Sequence, residues 1–166
     1  MKVLIAVDGS EYSTNALAFL ADRPWNDDDE FKVLAVMETL PMEFGLGHLP
    51  ETAQSYIDGM KEECESIVEQ AREKLSKSLP GHKVEAEVVS GVVVDQICDV
   101  ALEWPADLVV MGSHGRRGLE RFLLGSVAEE VLKKAGCSVE IVKLKDGEDR
   151  SGKDDTSESK ISAKSG

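Results

Sequence analysis

Asp107-Leu108-Val109-Val110-Met111-Gly112-Ser113-His114-Gly115-Arg116-Arg117-Gly118 is the stretch on which the fold turns. Leu108–Met111 is continuously apolar, as a strand covered on both faces must be; a half-exposed strand would alternate apolar and polar side chains. The glycines that follow end the strand in a loop. Gly125-Ser126-Val127 then opens a pattern in which Ala128, Val131, Leu132 and Ala135 recur at the three-and-four spacing of an amphipathic helix.

Outward from this unit the arrangement repeats. Strand-like runs fall at about Lys2–Val7, Lys32–Met37, Lys83–Val89, Asp107–Met111 and Ser138–Lys143, separated by helical patterns. The third helix shows Val94, Ile97, Cys98, Ala101 and Leu102 on one face. The second runs from about Thr52 to Leu79, carries Ala53, Ile57, Met60, Cys64, Ile67, Ala71 and Leu75, and stops at Pro80-Gly81. Strands alternating with helices predict an α/β fold: a single doubly wound domain, its five-stranded parallel sheet covered by helices on both faces.

The strand patterns also predict an order. Val3–Val7 and Val33–Met37 are continuously apolar, like the fourth strand. The third sets Val84, Ala86 and Val88 against Lys83, Glu85 and Glu87, and the fifth carries Glu140 among Val139, Ile141 and Val142. Half-exposed strands belong at edges. With right-handed crossovers the simplest order is 3-2-1-4-5. Direction reverses between strands one and four, and in such sheets ligands bind at the carboxyl ends of the strands flanking the reversal.

The ordered domain is expected at residues 1–145. From Asp146 the chain has no aromatic residue and is dense in charge, a composition that cannot offset the entropy of ordering, so 146–166 is expected to be a disordered polar tail. Glu38–Pro50, with two glycines and two prolines, leaves the end of strand two beside the crevice, as a partial lid or a plain surface connection.

A net charge of −13 repels phosphate backbones and anionic membranes, so neither nucleic acid nor a membrane is an expected partner. The charge serves mainly solubility. A small anion remains possible, because local N–H groups outweigh a distant charge. Apolar runs are strand-sized and no leader pattern follows Met1-Lys2, which predicts a cytoplasmic protein. Cys64, Cys98 and Cys137, odd in number and widely spaced, imply no disulfide framework or zinc site and are expected as free, buried thiols.

Two residues separate Gly112 from Gly115, and nine separate Gly115 from Gly125. Glycines in a strand-to-helix loop allow positive φ and close backbone approach, and successive free N–H groups form an anion nest. Ser126 at the helix entry is either part of a phosphate site or an ordinary N-cap. Fast phosphoryl transfer has no support: there is no G-x-x-x-x-G-K-[ST] loop, no Mg²⁺-holding acidic pair and no kinase catalytic loop. A phospho-acceptor receiver domain needs an aspartate ending strand three, where Val88-Val89-Ser90-Gly91 stands. No catalytic residue and no protein-held metal is assigned.

The stretch Gly112–Val127 resembles the ATP-binding signature of the universal stress protein family: Gly, two residues, Gly, nine residues, then Gly-Ser or Gly-Thr. Val3-Leu4-Ile5-Ala6-Val7-Asp8-Gly9-Ser10 with Ala16-Leu17 is similar to that family's first strand and helix, and the likeness spans about residues 2–143. It implies an ATP-binding regulatory or stress-response protein with slow or no hydrolysis, its ATP carrying a phosphate-bound divalent cation (Mg or Mn). The alternative is an AMP- or ADP-binding variant, or a slow ATPase or autophosphorylating enzyme of the same fold.

By this resemblance Ala6, Val7 and Asp8 line the adenosine pocket, Asp8 accepting from ribose or capping its loop, and backbone groups at Val36 meet the adenine edge. Met111, Gly112, Ser113, His114, Gly115, Arg116, Arg117 and Gly118 wrap phosphate and ribose, and Gly125, Ser126 and Val127 close the phosphate end. His114 contacts phosphate or metal-bound water, or is a solvated turn residue. At least one of Arg116 and Arg117 turns to solvent or to the acidic surface; His48 and His82 receive no function. The resemblance also implies a homodimer through the last strand. Glu140, where an apolar residue is common in the family, and Cys137-Ser138-Val139, where a proline is, weaken that contact.

Overall fold

A computed structural model of the chain describes residues 1–38, 51–116 and 124–144. In chain order the elements are β1 (Lys2–Ala6), α1 (Glu11–Ala21), β2 (Glu30–Glu38), α2 (Glu51–Ser78), β3 (Lys83–Gly91), α3 (Val93–Glu103), β4 (Leu108–Gly112), α4 (Ser126–Lys134) and β5 (Ser138–Val142). All strand pairs are parallel and the order is β3-β2-β1-β4-β5, as the patterning predicts. The tail 146–166, residues 39–50 of the loop read as a partial lid, and Arg117 and Gly118 lie outside the described residues; Glu38 is the last residue of β2.

The period-two alternation of β1, β2 and β4 sends successive side chains into two cores. On one face Val3, Ile5, Phe31, Val33, Leu108 and Val110 pack under α1 and α2; on the other Leu4, Leu34, Val109 and Met111 pack under α3 and α4. The edge strand β3 divides as its sequence suggests except at Ala86. Val84 and Val88 pack against the first core, while Ala86 is exposed. Glu87 and Glu85 reach back to Lys32 Nζ of β2 at 2.7 and 3.6 Å, over the Trp104 ring.

The first turn of α1 is fixed by Gly9, at φ 79°, and by Ser10, whose hydroxyl accepts from the Ser13 N–H at 3.2 Å. With 28 residues, α2 is about 42 Å long. It outruns β2, whose nine residues span about 30 Å. Among the described residues its buried side chains begin at Cys64 and continue through Val68, Ala71 and Leu75. The thiols differ from expectation: all three are free, but only Cys64 is buried, while Cys98 and Cys137 sit half-buried at the rim of the second core.

Candidate functional site

The carboxyl ends of β1 and β4 lie side by side, and their helices leave for opposite faces of the sheet. Val7 N–H donates to the Leu34 carbonyl at 2.9 Å, one step past the end of β1. Since alternate residues direct their backbone groups to the same neighbour, Val36 aims its N–H and carbonyl towards the β1 side, beyond the last paired residue. Its side chain, like that of Ala6, packs at the rim of the second core; Val7 and Met111 are buried.

Asp8 ties two loops together. Its Oδ1 accepts from the Ser10 N–H at 3.0 Å and the Ser10 hydroxyl at 2.6 Å, and its Oδ2 accepts from the Arg116 N–H at 3.0 Å. A carboxylate offers about four lone-pair sites, so these bonds leave capacity for a further donor. Of its two expected roles, the loop-holding one is the one visible in these contacts.

The glycines act through their missing Cβ. A Cβ at Gly112 would stand 2.7 Å from the Tyr12 carbonyl carbon, at Gly125 3.0 Å from the Ser113 carbonyl oxygen, and at Gly115 2.9 Å from Asp8 Oδ2. Positive φ was expected of this loop, but the described glycines that adopt it are Gly9, Gly81 and Gly91. At Gly112, Gly115 and Gly125 the requirement is close approach.

Ser113 N–H donates to the Val142 carbonyl, extending the β4–β5 ladder, and Gly125 N–H returns to the Ser113 carbonyl, both at 2.9 Å. That second bond seats the start of α4 on the end of β4. The N-cap is Gly125, with no side-chain cap, and Ser126 is the first helical residue and exposed, rather than an N-cap. The opening N–H groups of α4 have no intrahelical partner, by the geometry of any helix start, and the cap residue, a glycine, has no side chain to offer them. Val127 packs at the second core's rim.

His114 is no solvated turn residue. Its ring lies 4.9 Å from that of Tyr12, Nδ1 is 3.1 Å from the Ser113 hydroxyl, and Nε2 is buried without a hydrogen-bond partner among the described residues. Ser113 itself is buried. Arg116 turns to the acidic surface, its Nη1 donating to Glu63 of α2 at 2.9 Å and its Nε to the Asp8 carbonyl. Tyr12 and Glu63 escaped the sequence reading. Glu63 does carry a signal, since it directly precedes the first buried position of α2; Tyr12 follows the Ser10 cap by two residues. Among the described residues no group of three His, Cys, Asp or Glu could hold a metal ion, and no helix is long and apolar enough to cross a membrane.

These features define a class: a doubly wound α/β domain whose glycine-containing β4–α4 connection and α4 N-terminus stand at the switch point of the sheet. The chain belongs to the universal stress protein family, whose sequence profile matches residues 1–143. It is 35% identical over 143 residues to universal stress protein MJ0531 of Methanocaldococcus jannaschii, covering 86% of this chain and 81% of the relative. With YxiE of Bacillus subtilis it shares 31% identity over 86% of this chain and 98% of the relative. Superposition on the structure of MJ0577, also of M. jannaschii, gives a TM-score of 0.71 at 28% identity, covering 87% and 96% of the two chains. For UspA of Lactobacillus plantarum the TM-score is 0.70 at 21% identity over 86% and 97%, a likeness of fold.

Proposed function

We propose that the chain is a cytoplasmic ATP-binding regulator of the stress response, with slow or no hydrolysis. The observation that carries the reading is the uncapped start of α4, held on the end of β4 at the switch point by the Gly125–Ser113 bond. Free N–H groups and the helix dipole there favour phosphate. In this reading Ser126, Val127, Gly125 and the Gly112–Gly115 backbone meet the phosphates, with Arg116, Arg117 and Gly118 beside them. Asp8 offers its remaining acceptor capacity to ribose, and Ala6, Val7, Met111 and the backbone of Val36 surround adenosine. Ser113 and His114 line the wall between.

A divalent cation, Mg or Mn, is held by the phosphates in this proposal, since the described donor set forms no protein cage. When bound it neutralises phosphate charge. Asp8 is committed to holding two loops, which supports binding over turnover. AMP is the second reading to keep. A universal stress protein of Arabidopsis thaliana is described with AMP bound and another family structure in complex with cAMP. At 22% identity both likenesses carry the fold only. We also propose a homodimer through β5. Glu140 is drawn to Arg23, just past the end of α1, at 2.7 Å, and Val139 and Ile141 pack at the rim of the second core.

Thermal denaturation with ATP, AMP and GTP tests the site. Saturation to 100 times Kd adds about 2.7 kcal/mol, a rise in Tm of roughly 5–10 °C at this size. Gly115→Val, which places a branched side chain against Asp8 Oδ2, should abolish the ATP response measured from its own ligand-free Tm. Ser126→Ala should only reduce it. Equal responses to ATP and GTP would refute adenine recognition, and a full ATP response in Gly115→Val would place the ligand elsewhere.

A further inference from the structure

One side chain joins three elements across the crevice. The Arg116 main-chain N–H donates to Asp8 Oδ2, its Nε to the Asp8 carbonyl, and its Nη1 to Glu63 Oε1 at 2.9 Å. Glu63 stands just before the point where α2 enters the core, and one turn further on Ile67 Cδ1 lies 3.0 Å from where a Gly9 Cβ would be. The glycine loop, the β1–α1 turn and α2 therefore meet at Arg116.

Arg116 and Glu63 are 46% and 56% exposed, so water can separate them and their pairing is weak. A guanidinium presents the same planar fork of donors to a carboxylate and to a phosphate. A phosphate arriving at the Gly112–Gly115 backbone comes within one residue of Arg116 and must share its donors with Glu63. We propose that Glu63 is a built-in competitor of ligand phosphate for Arg116. It makes the affinity of the site depend on the phosphate charge of the ligand, and it yields Arg116, and with it the hold on the leading half of α2, when that charge is high enough. This rests on the nucleotide reading above. Glu63 is a positioning residue, acting through Arg116. Asp8, which faces the same guanidinium, is retained through its main-chain carbonyl and the Arg116 N–H.

The test is calorimetric titration of the full chain with ATP and with adenosine, for wild type, Glu63→Gln, Arg116→Gln and the double variant. Glu63→Gln is isosteric and exposed, so folding is preserved. It should tighten ATP about two- to fivefold, the span of an exposed ion pair, and leave adenosine unchanged. In the Arg116→Gln background the same change should add nothing. Hydrogen exchange in residues 54–63 should quicken when ATP binds wild type and be fast already in Glu63→Gln. ATP binding with equal affinity in wild type and Glu63→Gln would overturn the inference while leaving the nucleotide reading intact. So would an equal gain in the Arg116→Gln background, which would trace it to lost negative charge alone. A wild type that binds neither ligand would overturn both.

Discussion

Gly112→Ala is the sharpest probe of how β4 meets α1. The added methyl would lie 2.7 Å from both the carbonyl carbon and the Cβ of Tyr12, and 2.9 Å from its carbonyl oxygen. Carbon atoms in contact settle near 3.5–4.0 Å, so the overlap is roughly 1 Å. Two of those atoms belong to helix backbone, and α1 is anchored by Ala16, Leu17 and Leu20 in the first core. No rotamer change relieves the clash; the helix itself must move. Overpacking of this kind costs about 1–3 kcal/mol, and backbone opposition places this variant near 3. At about 2–4 °C per kcal/mol for a domain of this size, Tm should fall by roughly 6–12 °C. Urea denaturation should show a midpoint roughly 1–3 M lower with an unchanged slope. Gly136→Ala, with nothing within 4 Å of its Cβ position, is the control and should stay within about 0.5 kcal/mol of wild type. If Gly112→Ala unfolds with Gly136→Ala, the tight α1–β4 approach is wrong, and with it the placement of the glycine loop.

Gly59 lies inside α2 with nothing within 4 Å of its Cβ position, so Gly59→Ala should stabilise by about 0.5–1 kcal/mol, read as a higher urea midpoint. In β5 the Ser138 N–H and the Val142 carbonyl are bonded towards β4, which turns the Val139 N–H to the open edge. Val139→Pro should therefore convert the proposed dimer to monomer in sedimentation at micromolar concentration while preserving the ligand-free fold. A wild type that sediments as a monomer would reject the dimer.

The sheet was legible because burial leaves a direct imprint on strands. Leu108–Met111 has no polar side chain to offer a solvated face, whereas Glu85, Glu87 and Glu140 could only belong to strands with an open side. The point where the sheet order reverses followed from the same patterns, before any motif was weighed. What was hidden is what depends on contacts between distant residues. Gly112 was read for positive φ and for close backbone approach to a ligand, yet the neighbour that crowds it is Tyr12, far away in sequence. Gly-Ser at a helix start satisfies cap preferences in two registers, and the bond from the Glu129 N–H to the Gly125 carbonyl marks the glycine as cap. The partnership of Arg116 with Glu63 spans 53 residues of chain, and no local periodicity announces it.

The placement of β1 at the centre of the sheet has a consequence for how the chain is made. Its β4 neighbour is remote: the Lys2 N–H meets the Asp107 carboxylate across 105 residues. At about 5–20 residues per second of synthesis, the β4-facing edge of β1 waits roughly 5–20 s for the strand that seals it. During that interval β1, β2 and β3 can pair into a half-sheet under α1 and α2, but β1 keeps one edge without its β4 partner, and an apolar strand there presents unpaired backbone to its surroundings. Until β4 arrives, the bare edge of β1 is the place where this chain, half made, is open to pairing with a stray strand.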